Sequence, residues 1–220
     1  MRSRVLIPIL FILSLALPAA AGDEQRDLLD SWRQRMTETD SALAAGDNGR
    51  ALKLADGVVS EMVERLGPGQ GSTRLFSSAL TQKARAHAAL GENDEAAWYS
   101  QVVLGLDPEC DTTQLIATKP QGVTSAVSPG QRIAAPKLVK RRKPKFPHGA
   151  HYYGVAGDLV VEVIVKSDGS VREPRIVTPL PAATLSYAAL ESVKGWRFEP
   201  ARADGQPIDV VYNLTVKYKE

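Results

Sequence analysis

A helix that runs directly into a strand constrains the fold of this chain more than any other stretch. Four apolar residues recur at spacings of four, four and three, which places them on one face of a helix: Leu185, Ala189, Val193 and Trp196. Thr184 precedes this stripe and is predicted to cap the first turn. Pro200 stops a helix from continuing, and Gly195 loosens its end. We therefore predict a helix that ends at a buried indole and passes into a strand through Phe198.

Strand-like segments flank this helix on both sides. Residues 157–166 alternate in a Val-rich pattern, and Asp168-Gly169 is a strong hairpin signal that returns the chain as residues 171–178. Pro174 lacks an N–H, so the returning strand is predicted at an edge or a bulge of the sheet. In the final strand, 208–218, even-numbered apolar residues share one face and the polar residues lie on the other: Asp209, Asn213, Thr215 and Lys217. The prediction is a small α+β domain of three antiparallel strands and one helix.

The residues of this region resemble the TonB C-terminal domain. The matching features, in order, are Lys143-Pro-Lys-Phe-Pro147, Gly157 opening a strand, Asp168-Gly169, Leu185-x-x-Ala-Ala-Leu-x-x-Val-x-x-Trp196-Arg-Phe-x-Pro-Ala201, and Gly205-x-Pro207. The resemblance covers roughly residues 136–220. It implies that the domain binds an extended segment of an outer-membrane transporter as an added strand. Five motifs in this order are more specific than any one of them.

The predicted pairing of the strands indicates which edge of the sheet would bind such a segment. The first two strands are neighbours, so the last strand pairs with the first and keeps a free outer edge. We predict partner-binding residues on that edge: Val211, Asn213, Thr215 and Lys217. The resemblance adds the motif residues Lys143, Phe146 and Pro147. The structural core is predicted from the helix and the strand that follows it: Leu185, Ala189, Val193, Trp196 and Phe198. The alternative is that the basic segment and Lys217 only protect this edge from aggregation.

Residues 22–108 are predicted to form a helical domain. Ala- and Leu-rich periods separated by Gly breaks indicate helices at about 24–45, 49–66, 72–90 and 94–106. The last pair has the offsets of a tetratricopeptide repeat, with small residues at Ala84 and Ala96 and a turn at Gly91. A helical bundle without repeats is the alternative. His87 falls at a packing position, so a core role is favoured, and a second protein is the expected partner of this domain.

The N-terminus is typical of a secretory signal. Basic residues precede an apolar run from Val5 to Leu17, and Ala19-x-Ala21 supplies a cleavage site before Gly22. The run is shorter than the roughly 20 residues of a membrane-spanning helix, so residues 1–21 are predicted to be removed and the protein to be periplasmic. In the alternative, an uncleaved segment anchors an energy transducer in the inner membrane. Energy-transducing members of the resembling family carry Ser and His in that anchor, whereas residues 5–21 have Ser14 but no His.

Residues 109–135, rich in Thr, Ser, Gly and Pro, are predicted to be a linker, and a basic run follows at 137–145. Such a run is either a solvated loop or a means of steering toward an anionic partner, such as a receptor plug or an outer-membrane surface. His148 and His151 are three residues apart but lack Cys or acidic companions, so no metal or other cofactor is predicted. Cys110 is the single cysteine, which excludes an intrachain disulfide.

The rest of the sequence narrows the function to binding. A net charge of +2 argues against nucleic acid as a general partner. We find neither a nucleophile motif nor a phosphate-cradling glycine loop, so the chain is not expected to be an enzyme. The prediction is a periplasmic adaptor that captures an extended transporter peptide. The sequence leaves open which receptor it binds and whether the chain forms a homodimer.

Overall fold

The structure is a computed structural model, and it describes residues 19–111, 113, 115 and 131–219. Two predicted segments fall wholly or mainly outside these residues. Residues 1–18 of the predicted signal lie outside the described part, and so do residues 112, 114 and 116–130 of the predicted linker.

Four helices make up the first half of the described chain: α1 (Ala19–Ala44), α2 (Asn48–Arg65), α3 (Gln70–Ala89) and α4 (Asn93–Leu106). The last three agree with the sequence prediction to within two residues. The turns between them fall at the predicted glycines, since Gly46 and Gly91 have φ of 75° and 79°, a region that glycine enters without steric cost. Asp47 caps α2 by accepting a hydrogen bond from the N–H of Arg50 at 3.3 Å.

The second half contains short strands and two further helices. In chain order they are β1 (Ile133–Ala134), β2 (Lys137–Lys140), α5 (His148–Tyr152), β3 (Gly157–Val165), β4 (Val171–Thr178), α6 (Ala183–Lys194), β5 (Arg197–Glu199), β6 (Ala201–Ala203), β7 (Gln206–Ile208) and β8 (Val210–Tyr218). The main sheet is antiparallel with the order β4-β3-β8. Two small ribbons, β1-β6-β7 and β2-β5, complete the α+β fold that the sequence predicts.

The chain divides into two compact units between Gln34 and Arg35. The first contributes the described residues 19–34, which are the N-terminal part of α1. The second unit begins at Arg35 and contains the rest of α1, the other described helices and all the described strands. Within this second unit α4 packs against β4, and α2 and α3 pack against α6.

Aromatic side chains form the centre of that packing. The ring of Tyr187, on α6, meets Phe76 of α3 edge to face at 5.3 Å, and its centroid lies 6.4 Å from that of Tyr99 on α4. His87 stacks on Tyr99 at 5.3 Å and is 9% exposed. The helical residues and the sheet domain therefore share a continuous core.

Two local predictions are wrong. Residue Asp209 was predicted on the exposed polar face of a continuous final strand, but it interrupts that strand and is buried. Its carboxylate accepts hydrogen bonds from the Lys166 ammonium and, at 2.7 Å, from the N–H of Ser167, which offset the cost of burial. Thr184 does not cap α6, because that helix already begins at Ala183 and Thr184 is buried within its first turn.

Candidate functional site

The outer edge of β8 is the candidate site. The strand order β4-β3-β8 leaves one side of β8 without a neighbouring strand in the described part of the chain. Its register with β3 runs unbroken over nine pairs, from Gly157 opposite Tyr218 to Val165 opposite Val210. A long, regular edge of this kind presents unpaired backbone groups to another chain.

The hairpin between β3 and β4 fixes which residues face outward. Lys166 donates its N–H to the carbonyl of Ser170 at 2.9 Å, so the backbone of Lys166 points toward β4. Successive residues of a strand point their backbone groups to opposite sides. Odd-numbered residues of β3 therefore bond to β8, and their partners on β8 are the even-numbered ones. The residues that direct N–H and C=O groups to the outer edge are Val211, Asn213, Thr215 and Lys217.

The same four residues place their side chains on the exposed face of the strand, whereas Leu214, Val216 and Tyr218 are buried. Val211 is 51% exposed, so it offers an apolar side chain on this face. Lys217 forms an ion pair at 3.0 Å with Asp158, its direct neighbour on β3, so its ammonium is not unpaired. Exposed pairs of this kind contribute little to stability.

The opposite edge of the sheet differs in both shape and cover. The register of β4 with β3 shifts twice, and near Pro174 the backbone of Glu173 adopts a φ of 49°. Gly105 of α4 lies against Ile176, and Arg172 forms an ion pair at 3.3 Å with Asp94 of the same helix. This edge is thus irregular and covered by α4, so β8 provides the regular open edge.

The motif residues upstream take different positions. Phe146 stacks on Tyr218 with ring centroids 5.2 Å apart, and the Tyr218 hydroxyl donates to the carbonyl of Lys145 at 3.0 Å. Burial raises the pKa of Tyr218, so the hydroxyl stays protonated as a donor. Pro147 is buried. Lys145 and Phe146 thus contact the end of β8 at the buried Tyr218.

Lys143 lies apart from the β8 edge. Its exposed side chain lines a pocket of about 220 Å³ between α2 and α6, which Glu64 and Glu191 also line. The structure thus brings Phe146 to β8 but places Lys143 beside the helices.

The predicted core residues are all buried: Leu185, Ala189 and Val193 at 0%, Trp196 at 3% and Phe198 at 6% exposure. The indole Nε1–H of Trp196 donates to the carbonyl of Arg142 at 2.9 Å, and the guanidinium of Arg141 lies 5.3 Å from the ring centroid. Phe198 packs edge to face on Tyr212 of β8 at 6.0 Å. The core therefore supports the strand that carries the candidate edge.

Sequence reasoning missed a polar cluster between the helical residues and α6. Lys83 forms an ion pair at 2.8 Å with Asp56, and its ammonium lies 4.3 Å from the ring centroid of Tyr99 and 3.5 Å from the hydroxyl of Tyr187. Burial raises the pKa of both tyrosines. The one sequence feature that could have indicated this cluster is Tyr187, an aromatic residue between two small residues of α6.

The described residues also bear on three other features, which are metal ligands, a reactive cysteine and membrane-spanning helices. Within residues 19–111, 113, 115 and 131–219, no three His, Cys, Asp or Glu side chains are grouped to hold a metal ion. The ring of His151 instead packs against Phe146 at 5.4 Å. Cys110 is a free thiol whose pKa is raised by burial. Among the described helices none has the length and apolarity needed to cross a membrane.

Comparisons with known proteins show what the C-terminal residues are similar to. Residues 142–219 match the family model of the Gram-negative bacterial TonB protein C-terminal. Proteins named Protein TonB are similar in Vibrio cholerae (26% identity over 100 residues) and Yersinia enterocolitica (29% over 79 residues), and the matches cover 45% and 36% of this chain. The chain spans only 40% and 31% of the length of those relatives. The family resemblance predicted from the sequence is confirmed for this domain.

A solved structure is also similar. The solution structure of the Pseudomonas aeruginosa TonB C-terminal domain aligns with 22% identity and a TM-score of 0.32, over 40% of this chain and 90% of that one.

Proposed function

We propose that this protein is a periplasmic adaptor that captures an extended peptide by strand addition, in support of TonB-dependent transport. The peptide would come from an outer-membrane transporter and would pair with the outer edge of β8. The observation that supports this proposal is the row of outward backbone groups at Val211, Asn213, Thr215 and Lys217 on a regular, uncovered edge. The match of residues 142–219 to the TonB C-terminal family points to the same class of partner.

The backbone hydrogen bonds of the edge do not by themselves supply the free energy of micromolar binding. Each backbone hydrogen bond contributes about 0.5–1.5 kcal/mol net, so four or five of them give at most about 7.5 kcal/mol. Micromolar binding needs about 8 kcal/mol, and association costs come in addition. Side-chain contacts must provide the difference, and the exposed Val211 and Thr215 stand on the face where an added strand would project its own side chains.

The upstream motif would assist in two ways. Phe146 holds the end of β8 through its ring contact with Tyr218, which keeps the edge straight for pairing, and the buried Pro147 follows it at the start of α5. Lys143 lies beside α2 and α6 and not at the edge, so its part in the proposal is long-range attraction of an acidic partner. Both roles are part of the proposal.

A proline at Asn213 tests the mechanism. Asn213→Pro removes one outward N–H, and Asn213→Ala is the matched control because it changes the side chain and keeps that donor. We expect the proline variant to bind a labelled transporter N-terminal peptide about tenfold or more weakly in fluorescence anisotropy, since one bond is lost and its neighbours are disturbed. The alanine variant should bind nearly as wild type. Equal affinity of a folded proline variant would place the site elsewhere.

The second candidate function is an energy transducer held in the inner membrane by an uncleaved N-terminus. The family match favours it, because the relatives are named Protein TonB. N-terminal sequencing after cell fractionation separates the two candidates. Gly22 as the first residue of soluble periplasmic material supports the adaptor, whereas Met1 on membrane-bound material supports the transducer.

The helical region would engage a second protein. A pocket of about 370 Å³ lies between α1, α3 and the segment after α4, and Met36, Asp40, Ser77 and Gln82 contribute to its lining. Copurification tests the assignment. The proteins captured by residues 22–220 are compared with those captured by a Ser77→Trp variant, in which the larger side chain fills this pocket. Loss of a partner from the variant alone would support it.

A further inference from the structure

The ribbon formed by β1 and β2 with β5 and β6 has an excess of positive charge. Residues 131–145 contain seven Lys or Arg and no Asp or Glu. The strands pair antiparallel, with Ala134 opposite Arg202, Lys137 opposite Glu199 and Lys140 opposite Arg197. Paired residues share a face of the ribbon, so cations from both strands lie on one surface. The acidic residues on the ribbon are Glu199 and Asp204.

These charges are exposed and only partly compensated, since Lys137 lies opposite Glu199 and Arg197 interacts with Asp168. The side chains concerned are exposed and form no ion pair with any other described residue: Arg132, Lys137, Lys140, Arg197 and Arg202. Asp204 is engaged by the backbone N–H of Arg132 at 3.3 Å. Lys140 and Arg197 are direct cross-strand neighbours, and like charges in that position destabilise a sheet. Stability alone does not account for this arrangement.

Exposed apolar side chains lie on the same strands as the cations. Val139 stands at a register shift of the ribbon and is 71% exposed, while Ile133 and Leu138, which are 53% and 44% exposed, lie opposite the buried Ala203 and Phe198 on the other face. Cations beside an exposed aliphatic residue such as Val139 suit the interface of an anionic bilayer, where the cations meet phosphates and the aliphatic group enters the headgroup layer. An acidic polypeptide would satisfy the charges but would leave Val139 in water.

We propose that the outer face of this ribbon docks on the surface of an anionic phospholipid bilayer. The surface is separate from the β8 edge, so docking and peptide capture involve different residues. Such docking would hold the C-terminal domain beside the membrane while the edge of β8 stays open. It extends the proposed function and does not depend on it.

Vesicle sedimentation tests this docking. The intact protein is mixed with vesicles of phosphatidylethanolamine and phosphatidylglycerol, and separately with neutral phosphatidylcholine vesicles. The neutral arm measures any binding through the apolar run at residues 5–17. Because each Lys or Arg near an anionic surface strengthens partitioning by about fivefold, the triple variant Arg132→Gln, Lys137→Gln, Lys140→Gln should lose at least about tenfold in anionic binding. Val139→Ser should weaken it further.

A matched control removes the same charge elsewhere. Arg50, Lys53 and Arg65 are exposed on α2 and form no ion pair with the described residues. Their triple Gln variant should retain most of the vesicle binding, and both triple variants should capture the transporter peptide as wild type does. Conversely, Asn213→Pro should keep vesicle binding, which separates failure of docking from failure of peptide capture.

Three results would overturn the proposal. They are equal binding to neutral and anionic vesicles, equal losses in the two triple variants, and capture of polyglutamate by the ribbon without any vesicle binding. The first two would leave the cations as a guard against edge-to-edge pairing. The third would identify an acidic polypeptide as the partner.

Discussion

At position 196 one indole joins three parts of the C-terminal domain. Trp196 lies two residues beyond the end of α6, donates its indole N–H to the carbonyl of Arg142 and packs beside Phe198 at 6.5 Å, while Phe198 contacts β8. The ring is almost completely buried, so its removal would leave a large cavity between the helix and the sheet.

We expect Trp196→Ala to lower the free energy of unfolding by about 3–5 kcal/mol, a large share of the total stability of a domain. Trp196→Phe keeps a ring in the site and loses the hydrogen bond, so it should cost less. Urea unfolding followed by circular dichroism measures both. A Trp196→Ala midpoint equal to that of wild type would contradict the packing.

Asp209 predicts a pH dependence. Burial raises the pKa of this carboxyl, but hydrogen bonds from Lys166 and Ser167 outweigh that effect, and the pKa lies below its usual range. A lowered folded-state pKa means that the stabilisation is complete above the unfolded value, about 3.9, and is lost as the pH falls through the folded value.

Asp209→Asn should therefore lower the free energy of unfolding by about 1.5–3 kcal/mol near neutral pH. The difference from wild type should shrink as the pH falls below the unfolded value, about 3.9, and through the lowered folded-state pKa, because the carboxyl of wild type then becomes protonated. Urea unfolding across this pH range provides the check. A difference that stays constant down to acid pH would show that the charge of Asp209 does not contribute.

At the scale of elements, the close approach of α4 to β4 decides which sheet edge is open. A Cβ added at Gly105 would lie 3.0 Å from three side-chain carbons of Ile176, whereas one added at Gly57 in α2 would meet nothing within 4 Å. The two glycines differ in their surroundings, and Gly57 lies in the interior of α2 whereas Gly105 lies in the last turn of α4.

Alanine substitutions at Gly57 and Gly105 are predicted to change the stability of the protein differently. Gly57→Ala should stabilise the protein by about 0.5–1 kcal/mol, because alanine favours a helix interior. Gly105→Ala gains the same propensity but crowds Ile176, so it should be neutral or destabilising. Thermal unfolding of the two variants side by side measures this. Equal stabilisation by both would mean that α4 does not press on β4 in solution.

At the scale of the whole molecule, an aromatic and ionic interface joins the helical residues to the C-terminal domain. Lys194 at the end of α6 pairs with Glu95 and lies 4.7 Å from the ring centroid of Tyr99. Together with Tyr187 and Lys83, it makes residues 35–220 one compact unit. This interface covers one sheet edge and leaves β8 accessible.

A fragment of residues 22–108 is expected to unfold cooperatively on its own, because its helices share an apolar core that includes Met62, Phe76 and Leu80. It should melt at least about 4 °C below the intact chain, since Trp98 and Tyr99 lose their cover and about 1 kcal/mol corresponds to several degrees in a domain of this size. Scanning calorimetry of the fragment decides this. A melt without a cooperative transition would refute residues 22–108 as a folding unit.

The sequence by itself determined the local elements and the family of the C-terminal domain. Periodicity located α2, α3 and α4, the Asp168-Gly169 turn gave the hairpin, and the stripe ending at Trp196 gave α6. These features depend on residues close together in the chain, where spacing and turn chemistry act directly.

Only the tertiary structure decided which groups each surface buries. Asp209 looks like an exposed strand residue until the hairpin donors at Lys166 and Ser167 are placed beside it. Tyr187 gives no local sign that Lys83, 104 residues away, lies at its hydroxyl. Such contacts join residues that no local pattern relates, because burial and cover are set by the packing of whole elements and not by the spacing within one of them.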